Sequence, residues 1–152
     1  MPILFEYKNR KFYFTFLACL LLKIALSYAF SYLATHTGFG RGDVNPFQDK
    51  DRKFLFIMVV IIAPPFETLC FQLIPYYALK ALKMRSTLLR LVIPSMIFGM
   101  LHHYNMLYVL VAFIMGLILN FFFLYCVAYR KNAYVWVVIL HSLYNFYTFC
   151  FQ

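Results

Sequence analysis

Apolar residues run along this chain in long blocks, and the lysines, arginines and turn-forming residues gather between the blocks. About 20 apolar residues is the length a helix needs to cross the hydrocarbon of a bilayer. Five blocks are predicted as spans: 12–33, 54–79, 88–102, 106–128 and 134–151. The second carries Pro64-Pro65 and Pro75, which predicts a helix that breaks and restarts within the membrane. The third is short. The first loop, 35–53, is polar and holds Asp43, Asp49 and Asp51. The predicted fold class is therefore all-α: a polytopic transmembrane helical bundle of about five spans, with 1–152 as a single integral membrane domain.

Composition removes the soluble alternatives. Hydrophobic residues make up 64% of the chain and charged residues 12%, with a mean hydropathy of +0.76. Soluble domains carry about twice that share of charge, and disorder needs low hydrophobicity. A small domain leaves much of its surface exposed, so water could not accommodate this much apolar area.

Charge then sets orientation. The net charge is +9, but its clusters lie between spans, as topology signals do, and do not form a nucleic-acid patch. With the N-terminus cytoplasmic, the inner side holds nine cations: Lys8, Arg10, Lys11, Lys80, Lys83, Arg85, Arg90, Arg130 and Lys131. The outer side holds four: Arg41, Lys50, Arg52 and Lys53. The expectation is a cytoplasmic N-terminus and, with five spans, an external C-terminus. The first block continues past Lys23 and is expected as a retained helix, not a cleaved leader. Cys19, Cys70, Cys126 and Cys150 stand singly in apolar stretches and read as buried thiols. Arg41-Gly42-Asp43 is a tripeptide common by chance and carries no functional weight.

Ionisable groups inside a bilayer are costly and mark candidate sites. Glu67 is the one acidic residue of five inside an apolar block. His102, His103 and His141 lie in or at the end of such blocks, and Lys23 sits in the middle of the first. Following Pro64-Pro65, Glu67 is expected in the first turns of the restarted helix, either as a cap or as a general base or ligand. Phe98 and His102 share one helical face, as do His141 and Asn145, each pair four residues apart. An imidazole and a carboxamide one turn apart can donate jointly to an oxyanion, or simply bond between helices. Adjacent residues diverge by about 100°, so His102 and His103 cannot both face one site. One of them is expected at the water interface with Tyr104 and Asn105. For Lys23 the leading expectation is snorkelling toward an interface, or a shorter helix, with pairing to Glu67 as the alternative.

These residues resemble a known family. Ala63-Pro64-Pro65-Phe66-Glu67-Thr68-Leu69-Cys70-Phe71-Gln72 is similar to the first motif, Glu-Glu-x-x-x-Arg, of the CAAX protease and bacteriocin-processing family. Phe98-Gly99-Met100-Leu101-His102 matches its Phe-x-x-x-His, and His141-Ser142-Leu143-Tyr144-Asn145 its His-x-x-x-Asn. The resemblance covers 54–151, which would be the protease-like core. It implies an intramembrane endopeptidase in which Glu67 and His102 activate water while His141 and Asn145 stabilise the oxyanion. Phe98, Thr68 and Gln72 would support the site. Thr68 and Gln72 depart from the motif, standing where it has the second Glu and the Arg. That pair could brace a site ionically; Thr and Gln could only hydrogen-bond, and their presence puts activity in question. The resemblance implies no metal, although by spacing alone Glu67, His102 and His141 could also ligate zinc.

The expected partners are a peptide or protein substrate in or at the membrane and the lipid bilayer, with no nucleic acid. Family resemblance points to a bacterial inner membrane, and to bacteriocin processing or self-immunity as roles of some relatives. The competing readings are a catalytically inactive relative acting as a membrane immunity or interaction protein, and a small ion or proton transporter. The transporter reading lacks a visible inverted repeat.

Overall fold

The computed structural model describes residues 2–37, 51–103 and 105–151. The first loop falls mostly on 38–50, outside the described residues, and with it Arg41, Asp43, Asp49 and Lys50. Among the described residues the chain is helical throughout, without a strand. We number the helices α1 (Pro2–Thr37), α2 (Arg52–Ala81), α3 (Thr87–Leu101), α4 (Met106–Ala128) and α5 (Ala133–Phe151).

Helices α1, α2, α4 and α5 are long and apolar enough to cross a membrane. Helix α3 has 15 residues and rises only about 22 Å, less than the roughly 30 Å of hydrocarbon. It is locked instead to α4 as a tight hairpin. A Cβ on Gly99 would lie 2.9 Å from the Phe113 Cβ and 3.0 Å from the Val109 carbonyl oxygen. Only glycine lets the two backbones approach this closely, which is how small residues drive helix association in lipid. The buried Asn120 amide donates to Ser95 Oγ at 3.0 Å and to the Gly116 carbonyl at 3.1 Å, and Ser95 donates to the Leu91 carbonyl. His102, immediately after α3, caps the hairpin turn.

Helix α4 is the centre of the bundle. Met115, Ile118, Leu119, Phe122, Phe123 and Cys126 pack with Phe12 and Cys19 of α1 and Val137 and Leu140 of α5. Much of the apolar surface of the other helices remains exposed, as a lipid-facing shell requires.

Helix α2 departs from the prediction. It does not break at its prolines but widens around them. Ile57–Ile62 and Leu69–Leu73 are π-helical turns, one immediately before Ala63-Pro64-Pro65 and the other before Ile74-Pro75. A proline in an α-helix lacks the donor for the carbonyl four residues back and clashes with it. An inserted residue moves that carbonyl away, so the helix bends without stopping. Backbone angles stay right-handed helical through Ile62, Ala63, Thr68 and Leu69. Glu67 therefore sits mid-helix between two wide turns, and the predicted helix start beneath it does not exist.

Candidate active site

A cavity of about 380 Å³ lies among the helices. Glu67 of α2, Phe98 and His102 at the end of α3, and His141 and Asn145 of α5 all line it. The four polar residues singled out in the sequence thus share one space, supplied by three helices.

His102 and Asn145 are each held by a hydrogen bond, whereas Glu67 and His141 face each other without one. Glu67 Oε2 lies 3.6 Å from His141 Nε2, just beyond a hydrogen bond. His141 is buried, and among the described residues its Nδ1 has no partner. His102 Nδ1 is 2.7 Å from the Phe98 carbonyl. A carbonyl only accepts, so Nδ1 carries the proton, and the neutral ring presents the Nε2 lone pair. The buried Phe98 ring neighbours both histidines, its centroid 4.4 Å from that of His102 and 6.4 Å from that of His141. Asn145 donates its amide to the Val59 carbonyl at 2.9 Å, and one amide N–H remains for another acceptor.

Three expectations need correction or completion. Lys23 does not snorkel. It is 1% exposed, lines the same cavity, and holds Nζ 4.3 Å from the centroid of the Tyr144 ring. Nor is its helix short, since α1 runs for 36 residues. Thr68 and Gln72 are fully buried but do not line the cavity, and the hydrogen bonds open to them are not made. Thr68 Oγ1 and both side-chain polar atoms of Gln72 lack a partner among the described residues. His103 is exposed while His102 faces the cavity, as their divergence requires; Tyr104 lies outside the described residues, and Asn105 caps α4 by accepting from the Tyr108 N–H.

Among the described residues no three His, Cys, Asp or Glu side chains are placed to hold a metal ion together. The zinc set that spacing alone allows, Glu67, His102 and His141, does not converge as ligands.

Sequence reasoning overlooked Ser27, Tyr144, Tyr108 and Thr148, which also line the cavity. One signal was present. Lys23 and Ser27 are one turn apart, forming a polar face on a helix that is otherwise apolar through its centre. Ser27 and the Tyr144 hydroxyl are within hydrogen-bonding reach.

A sequence profile described as "Type II CAAX prenyl endopeptidase Rce1-like" matches residues 50–147. The match takes in α2 to α4 and most of α5, and leaves out α1. No curated protein and no solved structure matches the chain.

Proposed function

Since the chain belongs to the type II CAAX prenyl endopeptidase Rce1-like family, we propose that it is an intramembrane endopeptidase whose general base is Glu67. The observation that carries this reading is the Glu67 carboxylate set 3.6 Å from the His141 imidazole on a cavity that His102 and Asn145 also line. A carboxylate half-buried among apolar helices is too costly to be incidental, and peptide hydrolysis needs water held away from lipid.

The chemistry follows from the donor and acceptor inventory. Glu67 takes a proton from water, assisted by the Nε2 lone pair of His102, and the water oxygen bonds to the peptide carbonyl carbon. Charge moves to the carbonyl oxygen. There the Nε2–H of His141 and the remaining amide N–H of Asn145 donate to it. Collapse breaks the C–N bond, and Glu67 returns its proton to the leaving amine. Substrate is a peptide within or at the bilayer. We further propose a cytoplasmic N-terminus. Asn9 of α1 accepts from Lys131 Nζ in the α4–α5 turn, and Lys131 lines one pocket with Lys80 and Arg130, so cations gather at one end of the bundle. A bacterial inner membrane remains the proposed location.

Thr68 and Gln72, whose side chains have no hydrogen-bond partner among the described residues, favour one second reading, an inactive relative that works by binding. Comparing membrane-protein termini in cells carrying the wild type or Glu67→Gln separates the two. New termini that require Glu67 are expected. Identical termini, with a cellular phenotype that survives Glu67→Gln, would replace catalysis by binding.

A further inference from the structure

Lys23 belongs to α1, outside the matched segment 50–147, yet it is among the most deeply buried side chains of the bundle. An ammonium placed there has lost its hydration, and an uncompensated charge at that depth is strongly destabilising. The Tyr144 ring presents its face at 4.3 Å, the geometry of a cation–π contact. One anionic group is at hand. Glu67 is the only acid within an apolar segment, lines the same cavity, and is close enough for each charge to act on the other. No direct salt bridge joins them among the described residues, so the attraction crosses the cavity. In a medium of low dielectric such an attraction persists where water would screen it.

The remaining groups facing Lys23 do not compete for it. Cys19 is a buried thiol one turn away on α1, and His141 and His102 carry no negative charge. On α2 the neutral Gln72 does not line the cavity.

We propose that Lys23 is the counter-charge of the Glu67 carboxylate, a positioning residue delivered by α1 that completes the site from outside the matched segment. This deepens the reading of Glu67 as base and rests on that reading for its catalytic meaning. It also gives α1 a function beyond anchoring: removing α1 would strip the site of its cation.

The test uses the full-length protein in detergent or proteoliposomes, with two readouts that need no hydrolysis. The first is a double-mutant cycle on melting temperature. Lys23→Met and Glu67→Gln are each expected to lower it by roughly 5–10 °C, and the combination to recover most of that loss, because both charges leave together. The second is labelling of Glu67 by a hydrophobic carbodiimide, which reacts with protonated carboxyls, quantified by mass spectrometry. Labelling is expected to rise several-fold in Lys23→Met and to stay at the wild-type level in Lys23→Arg. A merely structural lysine would not alter carboxyl reactivity. Additive losses in the cycle, or labelling unchanged in Lys23→Met, would overturn the proposal. If Lys23→Met does not accumulate, Lys23→Met/Glu67→Gln must; failure of that combination would overturn it as well. A wild type that cleaves no peptide would instead remove the peptidase reading and leave both readouts interpretable.

Discussion

Asn145 of α5 donates its side-chain amide to the backbone carbonyl of Val59 in α2, 2.9 Å away. Helix α2 itself leaves this carbonyl free. In the wide turn Ala63 donates to Met58, five residues back, and the next residue in that register, Pro64, has no N–H for Val59. Bare carbonyls are not tolerated at membrane depth, so a side chain from a neighbouring helix supplies the donor. The same bond fixes Asn145 beside the cavity. Asn145→Ala is expected to cost about 1–2 kcal/mol. In a Pro64→Ala background, where residue 64 regains its N–H, the cost is expected to fall well below that. A double-mutant cycle by unfolding in detergent checks this, and simple additivity would show that Asn145 is not serving the proline.

Two buried hydroxyls should respond in opposite ways to removal. Thr68 Oγ1 has no partner among the described residues, so the nearly isosteric Thr68→Val should be neutral or stabilising by up to about 1 kcal/mol. Ser95 Oγ accepts from Asn120 and donates to Leu91. Ser95→Ala leaves the Asn120 amide short of an acceptor and should cost about 1–3 kcal/mol. Thermal unfolding of the two variants side by side reads the difference, and a loss in Thr68→Val as large as that in Ser95→Ala would mean that Thr68 has a partner after all.

The α3–α4 seam packs against Phe98, a ring that neighbours both histidines. A Cβ on Gly116 would stand 3.1 Å from Phe98 Cδ1 and 3.3 Å from the Ser95 Cα. Gly116→Ala should therefore destabilise by about 1–3 kcal/mol and, on the proposed peptidase reading, slow hydrolysis more than it weakens substrate binding, since it displaces a ring that neighbours both His102 and His141. Steady-state kinetics would reveal this as a fall in kcat with KM little changed. A change in KM alone would place the effect elsewhere.

At the basic end of the bundle, α2 and α4 terminate in the same way. Lys83 and Arg130 adopt positive φ, 56° and 53°. The N–H groups of Met84 and Lys131 reach back to the Leu79 and Cys126 carbonyls, while those of Lys83 and Arg130 reach Lys80 and Val127. This is the Schellman arrangement, in which glycine normally occupies the left-handed position. A side chain there costs about 1 kcal/mol. Arg130→Gly should accordingly raise stability by about that amount in detergent. If stability falls, the arginine side chain is contributing more at this helix terminus than its backbone strain costs.

The helical bundle was legible because lipid imposes long apolar blocks, and few other folds tolerate them. The faces that line the cavity were legible where the residues lie one turn apart: His141 with Asn145, and Phe98 with His102. What escaped depends on contacts between helices. Pro64-Pro65 reads locally as a break, and only the wide turn before it, with Asn145 satisfying Val59, keeps α2 continuous. Lys23 reads locally as a residue that must reach water, because nothing in its own stretch of sequence reveals Tyr144 or Glu67 opposite. Gln72 and Thr68 could offer the site only hydrogen bonds, which buried polar groups generally make, and among the described residues their side chains make none.

The central claim is that Glu67 is the base for peptide hydrolysis. It is tested most directly by the rate at which purified protein in proteoliposomes cleaves a prenylated CAAX reporter peptide, compared between the wild type and Glu67→Gln with insertion and folding verified for both. Glutamine keeps the shape of the side chain and removes its ability to take a proton. The expected result is cleavage by the wild type and a fall of at least about 10²-fold in Glu67→Gln. Equal rates in the two proteins would contradict the assignment.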